Sequence, residues 1–505
     1  MIMQKRNDRK VNLRISVFDF RLPNGAFNRR SSIVNRQSSL VVALAVIATC
    51  SMALAQPLTP GQQAEEILKA CDVTGGLVVH IGCGNGRLTA ALRAGDGYLV
   101  HGLDRNRGRV ALARKYIQTL GTYGPVSIDQ LRGESLPYAD NLVNLVVSED
   151  LGGLSMDEVM RVLAPGGRAY IKTGGEWKKT IKPRPDQIDE WTHSMYDATN
   201  NAVSNDSIVG PPNRLQWVAG PQWARSHDHL SSISGAVSSG GRIFYIIDEA
   251  PMALVILEPD WHLVARDAFS GVLLWKRRIP KWQWHLRAFR TGPSDLSRRL
   301  VAVGSRVYVT LGIDGPLVAL DAATGKTVKT YEQTEGTLEV VYSEGALYVV
   351  VGEVAKQEAS AEEQRPGFTP VRSQRPGYLW NPPAKRIVVL DAETAKVLWS
   401  KSDAETAELM PTTLAVSKGR VFFQNADEVL CIDARSGDDL WRAERSTSRS
   451  RPTWSAPTLV VYGDVVLSAD RAVAEKKTLD TDEKRKVEWI VSARGGQAPV
   501  GELIA

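Results

Sequence analysis

Cysteine is scarce in this chain. Four occur in 505 residues, Cys50, Cys71, Cys83 and Cys431, and no two stand as C-x-x-C. No disulfide framework or thiolate zinc site follows from that spacing, although a Cys71–Cys83 bridge stays open. Histidine is scarce as well, and its one cluster is His227-Asp228-His229. Ser and Arg neighbours make that a loop, where turn bonding is expected over metal ligation, so no metal site is assigned. There is no G-x-x-x-x-G-K-[ST], which excludes a P-loop. Nor is there a basic excess where it would count. The net charge is +6, but residues 1–55 hold nine Lys/Arg against two Asp/Glu, leaving 53 basic and 54 acidic residues in the rest. The body of the chain therefore implies no nucleic acid.

What is present begins with a leader. Arg29, Arg30 and Arg36 precede the apolar run Leu40–Ala48, and Ala53-Leu54-Ala55 offers a small-x-small cleavage site before Gln56. This pattern is expected to be a cleaved export signal over residues 1–55. The run is too short to span a bilayer comfortably, so no transmembrane span is expected in the mature chain. The expected location is periplasmic or otherwise associated with the cell envelope.

The next stretch organises the first domain. Val78-Val79-His80-Ile81 reads as a buried strand that runs into Gly82-Cys83-Gly84-Asn85-Gly86, with helical periodicity after it. A strand emptying into glycines at the mouth of a helix is a nucleotide-binding device, because a Cβ there would hold a ligand off the backbone. A dinucleotide fingerprint needs a third glycine at position 87, which is Arg. A second strand ends on Asp104, 18 residues past Gly86. An acid at that place can take both ribose hydroxyls, or it can cap the helix that follows. Val126–Gln130 reads as a third strand, Gly133–Val147 as a loop followed by a buried strand, and Met156–Ile171 as helix, Pro-Gly-Gly turn and strand. Alternating strands and helices predict a doubly wound parallel sheet with its ligand at the carboxyl ends of the strands. Nothing after Ile171 reads as a completing strand, and Lys178–Pro185 reads as a linker.

Three segments in order carry a resemblance: Ile81-Gly82-Cys83-Gly84-Asn85-Gly86, Leu136-Pro137-Tyr138-Ala139-Asp140, and Arg161-Val162-Leu163-Ala164-Pro165-Gly166-Gly167. They resemble the class I S-adenosylmethionine-dependent methyltransferases. The resemblance implies a Rossmann-like domain over residues 57–180 and S-adenosylmethionine as cofactor. It places His80, Gly82, Cys83, Gly84 and Gly86 by the methionine end, Asp104 on the ribose, and Glu134 with Ser135 beside the adenine. Two positions depart from the family pattern, which usually has an acid where His80 stands and often Asp where Asn144 stands. No catalytic residue is assigned; methyl transfer mainly needs an aligned acceptor.

The second half repeats itself. Ala265-Arg-Asp267-Ala-Phe-Ser-Gly271-Val-Leu-Leu-Trp275 recurs around Asp321, Asp391 and Asp433, spaced by 54, 70 and 42 residues. Lys329 stands at the Trp position of the second copy and Ala395 at the Gly position of the third. Each copy is a strand, an Asp-x-x-x-Gly turn and a strand carrying an aromatic. Asp bonds its own backbone there and Gly supplies positive φ. Further strands recur between the copies, and several strands per unit with a periodic aromatic predict an all-β propeller over residues 187–505. The aromatic is expected to pack between blades. Lys356–Gly377 and Ala474–Lys486 read as loop insertions. Trp282, Trp284 and His285 near Arg287 and Arg290 form either a recognition surface or inter-blade packing.

These motifs resemble the tryptophan-docking repeats of quinoprotein-type, PQQ-like propellers, which also occur in the outer-membrane barrel-assembly lipoprotein. Residues 190–217 resemble the lead-in to such propellers. With Cys431 alone and no calcium set in view, PQQ is not expected. Four docking motifs and a partial fifth unit suggest a propeller incomplete at the C-terminus, or a ring of four or five blades. The chain therefore reads as multidomain, an α/β Rossmann-like methyltransferase domain followed by an all-β propeller. The leading function is methyl transfer, with the propeller as a binding platform for a protein or other macromolecular partner. The alternatives are an exported interaction scaffold whose methyltransferase domain is inactive, and a quinone-dependent oxidoreductase.

Overall fold

The computed structural model describes residues 58–210, 215–221, 232–251, 258–282, 296–352, 381, 384–448, 456–471 and 501–504. The chain divides into Met1–Pro57 and one compact unit, Leu58–Ala505. The leader, the His227–His229 cluster, both loop insertions, and Trp284, His285, Arg287 and Arg290 lie outside the described residues.

Helix α1 (Pro60–Cys71) opens on a capping box between Thr59 and Gln62 and buries Ala64, Ile67, Leu68 and Cys71. Strands β1 (Gly76–Ile81), β2 (Tyr98–Asp104), β3 (Val126–Gln130), β4 (Val143–Ser148), β5 (Leu163–Thr173) and β6 (Glu176–Ile181) form a six-stranded sheet in the order β3-β2-β1-β4-β5-β6. The first five run parallel and β6 antiparallel. Every residue of β1 is buried, as expected for a central strand covered on both faces. Helices α2 (Arg87–Ala91), α3 (Arg107–Thr119) and α4 (Met156–Val162) follow β1, β2 and β4.

Two expectations need correction here. The sheet is completed after Ile171, because the stretch read as a linker contains β6, which forms a hairpin with β5. Lys178 and Lys179 disguise it. Lysines are common on edge strands, where they discourage further pairing, and Trp177 stacks on Tyr170 at 4.8 Å to hold the strand down. The Pro165-Gly166-Gly167 turn is a bulge inside β5 rather than a loop before it. The register against β4 slips between Leu163 and Arg168, and a methyl group on Gly167 would come within 2.9 Å of Val143 O. The Cys71–Cys83 bridge does not form; Cys71, Cys83 and Cys431 are free and buried.

The second half consists of antiparallel sheets, as the repeats predict. They are β7 (Ile233–Ser239) to β10 (Leu273–Arg278), β11 (Leu300–Val303) to β14 (Thr327–Thr330), β15 (Thr337–Ser343) to β18 (Val397–Lys401), and β19 (Ala415–Ser417) to β22 (Asp439–Glu444). A three-stranded sheet follows, β23 (Thr458–Tyr462), β24 (Val465–Arg471) and β25 (Gly501–Ile504). The innermost strands β7, β11, β15, β19 and β23 neighbour one another in that order.

The recurrent aromatic docks each blade on the next. Trp217, Trp275 and Trp399 lie over Gly271, Gly325 and Gly437, and their Nε1 groups donate to Ala268, Ala322 and Ala434 O at 3.0 Å each. A methyl group on Gly325 would sit 2.6 Å from the Trp275 ring. The exception explains itself. Where Lys329 replaces the Trp, its Nζ donates to Glu393 O, Tyr331 donates to Ala392 O at 2.5 Å, and Ala395 is tolerated at φ +62°. Without an indole overhead, the glycine's missing Cβ is not needed for space. Lys329→Trp alone should therefore destabilise by about 1–3 kcal/mol through overpacking. Adding Ala395→Gly, which also relieves about 1 kcal/mol of left-handed strain, should restore wild-type stability in urea unfolding. A double variant no more stable than Lys329→Trp would refute this docking logic.

The lead-in segment 191–200 laces the blades together. Amides of Ser238 in β7 and Ala302 in β11 donate to Trp191 O and Thr192 O at 2.7 and 2.9 Å; Val416 in β19 and Val461 in β23 donate to Ala198 O and Thr199 O at 2.8 and 2.9 Å. For β15 the acceptor is a side chain, His193 Nε2, which takes the Tyr342 amide at 3.0 Å. Each donor is the next-to-last residue of its strand. Asn200 Nδ2 then donates to Leu414 O and Leu459 O at 2.9 and 3.0 Å. One segment thus occupies equivalent positions on five inner strands, at one mouth of the axis. Trp282 is 3% exposed and donates to Ser234 Oγ at 2.9 Å, so for this residue the packing reading holds.

Candidate functional site

The carboxyl ends of β1, β2, β3 and β4 bring together the glycine turn, Asp104, and the loops after β3 and β4. Gly82, Gly84 and Gly86 have φ of +75°, +55° and +78°, a region open to glycine at no steric cost. Methyl groups on Gly82 and Gly84 would meet nothing closer than 3.8 Å, whereas one on Gly86 would press on Ala113 of α3 at 3.0 Å. The first two glycines thus serve the turn, and the third serves packing.

Four of the five amides of this turn are already engaged. Gly82 and Cys83 N donate to Leu103 O at 2.8 and 3.1 Å, Gly86 N to Cys83 O at 2.9 Å. Gly84 N donates to Asp104 Oδ2 at 3.0 Å, and Arg87 N to Asn85 Oδ1 at 3.1 Å. A phosphate cradle needs free amides aimed at the anion; this turn spends them on the end of β2, and α2 has only five residues.

Asp104 is 4% exposed, and its carboxylate is held by the chain's own bonds, with Arg109 Nη1 4.0 Å from Oδ2. Oδ2 accepts from Gly84 N, and Oδ1 from Asn106 N at 2.8 Å. A carboxylate offers about four acceptor sites, so each oxygen retains capacity for a hydroxyl. The capping alternative for Asp104 fails, because Asn106 caps α3 by accepting from Arg109 N at 3.1 Å.

His80 lies beneath the turn, 4% exposed, with Nδ1 2.8 Å from Thr89 Oγ1. Burial pushes its pKa down to about 4, against a smaller opposing pull from Asp104. It is therefore a neutral imidazole at pH 7 and carries no charge to offer a ligand. Burial, with Asp104 adding to it, pushes the Cys83 thiol up to about 12, so Cys83 is no nucleophile. Its Cβ packs against Gly102, where a methyl group would come within 3.0 Å.

Glu134 and Ser135 are exposed on the loop after β3. That loop is pinned at both ends by residues the sequence did not single out. Arg105 Nη1 donates to Gly133 O at 2.8 Å, and its Nε reaches the loop after β4 at Gly152 O, 2.9 Å away. Arg161 donates to Tyr138 O at 2.9 Å and to Leu136 O at 3.2 Å, while pairing with Glu158 at 2.7 Å. Glu158 in turn accepts from Leu136 N at 2.6 Å. Two of the three motif segments are therefore one bonded unit. The Glu158-x-x-Arg161 spacing on a helix was the signal available for it.

Asn144 belongs elsewhere. It stands near the amino end of β4, opposite the carboxyl edge. Oδ1 accepts from Leu77 N at 2.8 Å, and Nδ2 donates to Asp267 Oδ2 at 2.7 Å in the first propeller turn. Leu274 of β10 presses on Gly75 and Gly97 beside it; a methyl group on Gly97 would come within 2.9 Å of Leu274 O. Asn144 thus bonds β1 to the first propeller turn.

Residues 78–167 match the family described as methyltransferase domain, and residues 382–481 match the family described as outer membrane protein assembly factor BamB. The chain joins a class I methyltransferase domain to PQQ-like propeller repeats. The methyltransferase domain is 32% identical over 114 residues to the methyltransferase GfsG of Streptomyces halstedii, a match that takes in 21% of this chain and 41% of that protein. The chain thus spans about two fifths of the length of the curated relative it matches. Among solved structures, YcgJ of Bacillus subtilis aligns at 24% identity over 21% of this chain and 48% of its own, with a TM-score of 0.20. An S-adenosylmethionine-dependent methyltransferase of Aquifex aeolicus aligns at 21% identity over 25% and 70%, with a TM-score of 0.21. Among the described residues no three His, Cys, Asp or Glu side chains cluster as a metal site, and no helix is long and apolar enough to cross a membrane.

Proposed function

We propose that the carboxyl edge of the sheet binds S-adenosylmethionine, and that the chain is a methyltransferase whose propeller serves as a binding platform for a macromolecular partner. One observation carries this reading. The glycine turn has spent four of its five amides internally, while Asp104 holds an oriented carboxylate with acceptor capacity left over. That combination suits a phosphate-free nucleoside and disfavours a dinucleotide.

The bound cofactor would supply an activated methyl group on a sulfonium centre. Gly82 and Gly84 would let it lie against the backbone, Asp104 would hold the ribose hydroxyls, and Glu134 with Ser135 would flank the adenine. Arg105 and Arg161 would keep that loop in place. Alignment of the acceptor then supplies the rate, since a well-oriented transfer needs no strong base. The propeller, fixed to the amino edge through Asn144 and Asp267, leaves the ligand edge open. An envelope location fits the BamB-type repeats, and the laced axis supports a platform over a quinone enzyme.

Asp104→Ala should weaken S-adenosylmethionine binding by ~10- to 100-fold, the worth of hydrogen bonds to a charged group. Titration calorimetry on the full chain tests it; unchanged affinity, or no binding by the wild type, refutes the reading. The neutral, buried His80 favours a second reading, a propeller scaffold with an inactive domain. Absence of binding in the wild type, with binding gained in His80→Asp, would establish that second reading.

A further inference from the structure

The sheet of the first domain ends on β6, and among the described residues no strand pairs with its outer edge. The pairing with β5 fixes which backbone groups face outward. Lys182 N donates to Gly167 O, and Lys182 O accepts from Gly166 N, at 2.9 Å each. Backbone groups alternate sides along an antiparallel strand. Thr180, Lys178 and Glu176 therefore also turn inward, opposite Ala169, Ile171 and Thr173. Trp177, Lys179 and Ile181 are left with N–H and C=O directed away from the sheet. Pro183, which has no N–H, ends the row. Such a row is a template for one more strand.

The two faces of β6 differ. Trp177 and Ile181 share one face, where Trp177 stacks on Tyr170 and Ile181 is 51% exposed. Lys179 starts from this face but is drawn off it, because its Nζ donates to Ala70 O at 2.8 Å, at the end of α1. The other face carries Glu176, Lys178 and Thr180 and, one residue past the strand, Lys182. Lys182 Nζ donates to a neutral acceptor, Asn141 Oδ1, at 2.7 Å. Neighbouring cations are each matched: Lys172 to Glu149 at 4.0 Å, Arg168 to Asp72 at 3.8 Å, and Arg184 to Glu190. Among the described residues, Lys178, Lys179 and Lys182 have no carboxylate within ion-pair distance. The edge thus sets three unmatched ammonium groups against one carboxylate, that of Glu176.

We propose that the outer edge of β6 takes an extended segment of a partner protein, acidic on one face and apolar on the other, as a further strand of the sheet. Its main chain pairs with Trp177, Lys179 and Ile181. Its carboxylates meet Lys178 and Lys182, and its apolar side chains meet Trp177 and Ile181 across the strand. The same lysines repel a second β6, so they bar self-pairing while admitting an acidic strand. This site is separate from the propeller platform and does not depend on the cofactor.

Capped peptides of alternating Glu and Val, or of alternating Lys and Val, test the proposal on the full chain. Affinity is read by fluorescence anisotropy of the labelled peptide, and hydrogen exchange is read at single amides. The Glu-Val peptide should bind and slow exchange at Trp177, Lys179 and Ile181. The amides of Lys178 and Thr180, already bonded to β5, should not change. The Lys-Val peptide should bind at least ~10-fold more weakly. Lys179→Pro removes one outward N–H and no bond to β5, so it should weaken the Glu-Val peptide by ~10-fold or more. Lys179→Ala keeps the amide and should cost less than ~3-fold. Lys178→Glu leaves the backbone alone and should also cost ~10-fold. A wild-type chain that does not bind the Glu-Val peptide, or binds it without protecting those amides, overturns the proposal. So does an affinity that Lys179→Pro and Lys178→Glu leave unchanged. Protection of the same amides in the chain alone, rising with its concentration, would mean that a second copy holds the edge, and overturns it too.

Discussion

Arg298→Met should cost roughly 3–5 kcal/mol, because it removes from a buried carboxylate the guanidinium that bonds it. Arg298 and Glu339 are 3% and 2% exposed. Arg298 Nε donates to Glu339 Oε1 at 2.8 Å and Nη2 to Leu414 O at 3.0 Å; Glu339 Oε2 accepts from Thr412 N at 3.0 Å. The pair joins the turn before β11, the strand β15 and the loop before β19. It therefore ties three consecutive blades at the inner strands. A loss of this size is a large share of the 5–15 kcal/mol that holds a typical domain. Adding Glu339→Gln removes the buried carboxylate charge and keeps an acceptor for Thr412, so the double variant should be more stable than Arg298→Met alone. Urea unfolding of both variants checks this. A cost under about 1 kcal/mol for Arg298→Met would show the pair to be solvated in practice.

The blades were legible because each copy carries its own local chemistry. Asp bonds the turn, Gly takes the positive φ, and Trp supplies the cover for the glycine of the next copy, all within eleven residues. Even the exception at Lys329 and Ala395 can be read once the contact is known, since two substitutions in different copies relieve one clash. The lacing by residues 191–200 could not be read in the same way. Its bonds are mostly main chain to main chain, so no periodicity marks it, and its partners lie up to about 260 residues away in sequence, a separation that local pattern does not report. Strand β6 was missed for a related reason: an edge strand needs no apolar alternation on its open side.

At the carboxyl edge of the sheet, the residue types were legible but their engagements were not. The glycine trio and Asp104 stand where the pattern puts them. What the sequence could not give is that Gly84 and Asp104 bond each other, or that four of the turn's five amides are spent. Asn144 was legible in principle. It stands four residues before Ser148, roughly 13 Å along a strand at 3.3 Å per residue, and so at the wrong end for a ligand held at the carboxyl edge. Arg105 gave no pattern; its importance comes only from the two glycine carbonyls it bridges.

Acid should weaken the fold well before its carboxylates protonate. Burial pushes His80 down to about 4 and His193 down to about 3, with the Arg298 charge adding to the effect at His193. The bonding at His193 makes its protonation costly. Nε2 must accept the Tyr342 amide, which leaves Nδ1 to donate to Thr192 Oγ1, whose own proton goes to Tyr196 O. A second ring proton would face the Tyr342 N–H, donor against donor. Both folded values lie below the unfolded value near 6.5, so between these limits the unfolded chain binds more protons and stability rises with pH. The contribution is fully present above about pH 6.5 and is lost as pH falls toward the folded values. Each histidine should withdraw about 2 kcal/mol between pH 7 and pH 5, at 1.36 kcal/mol per unit. His101, also held down by burial, acts in the same direction. The comparison is urea unfolding at pH 7 and pH 5 for the wild type, His80→Asn and His193→Gln. Gln retains an acceptor for Tyr342 and does not titrate. Each variant should shrink the pH-dependent loss by about 2 kcal/mol, whatever its stability at pH 7. A loss as large in both variants as in the wild type would mean that neither imidazole is the acid-sensitive group. The pH dependence would then belong to His101 and the carboxylates.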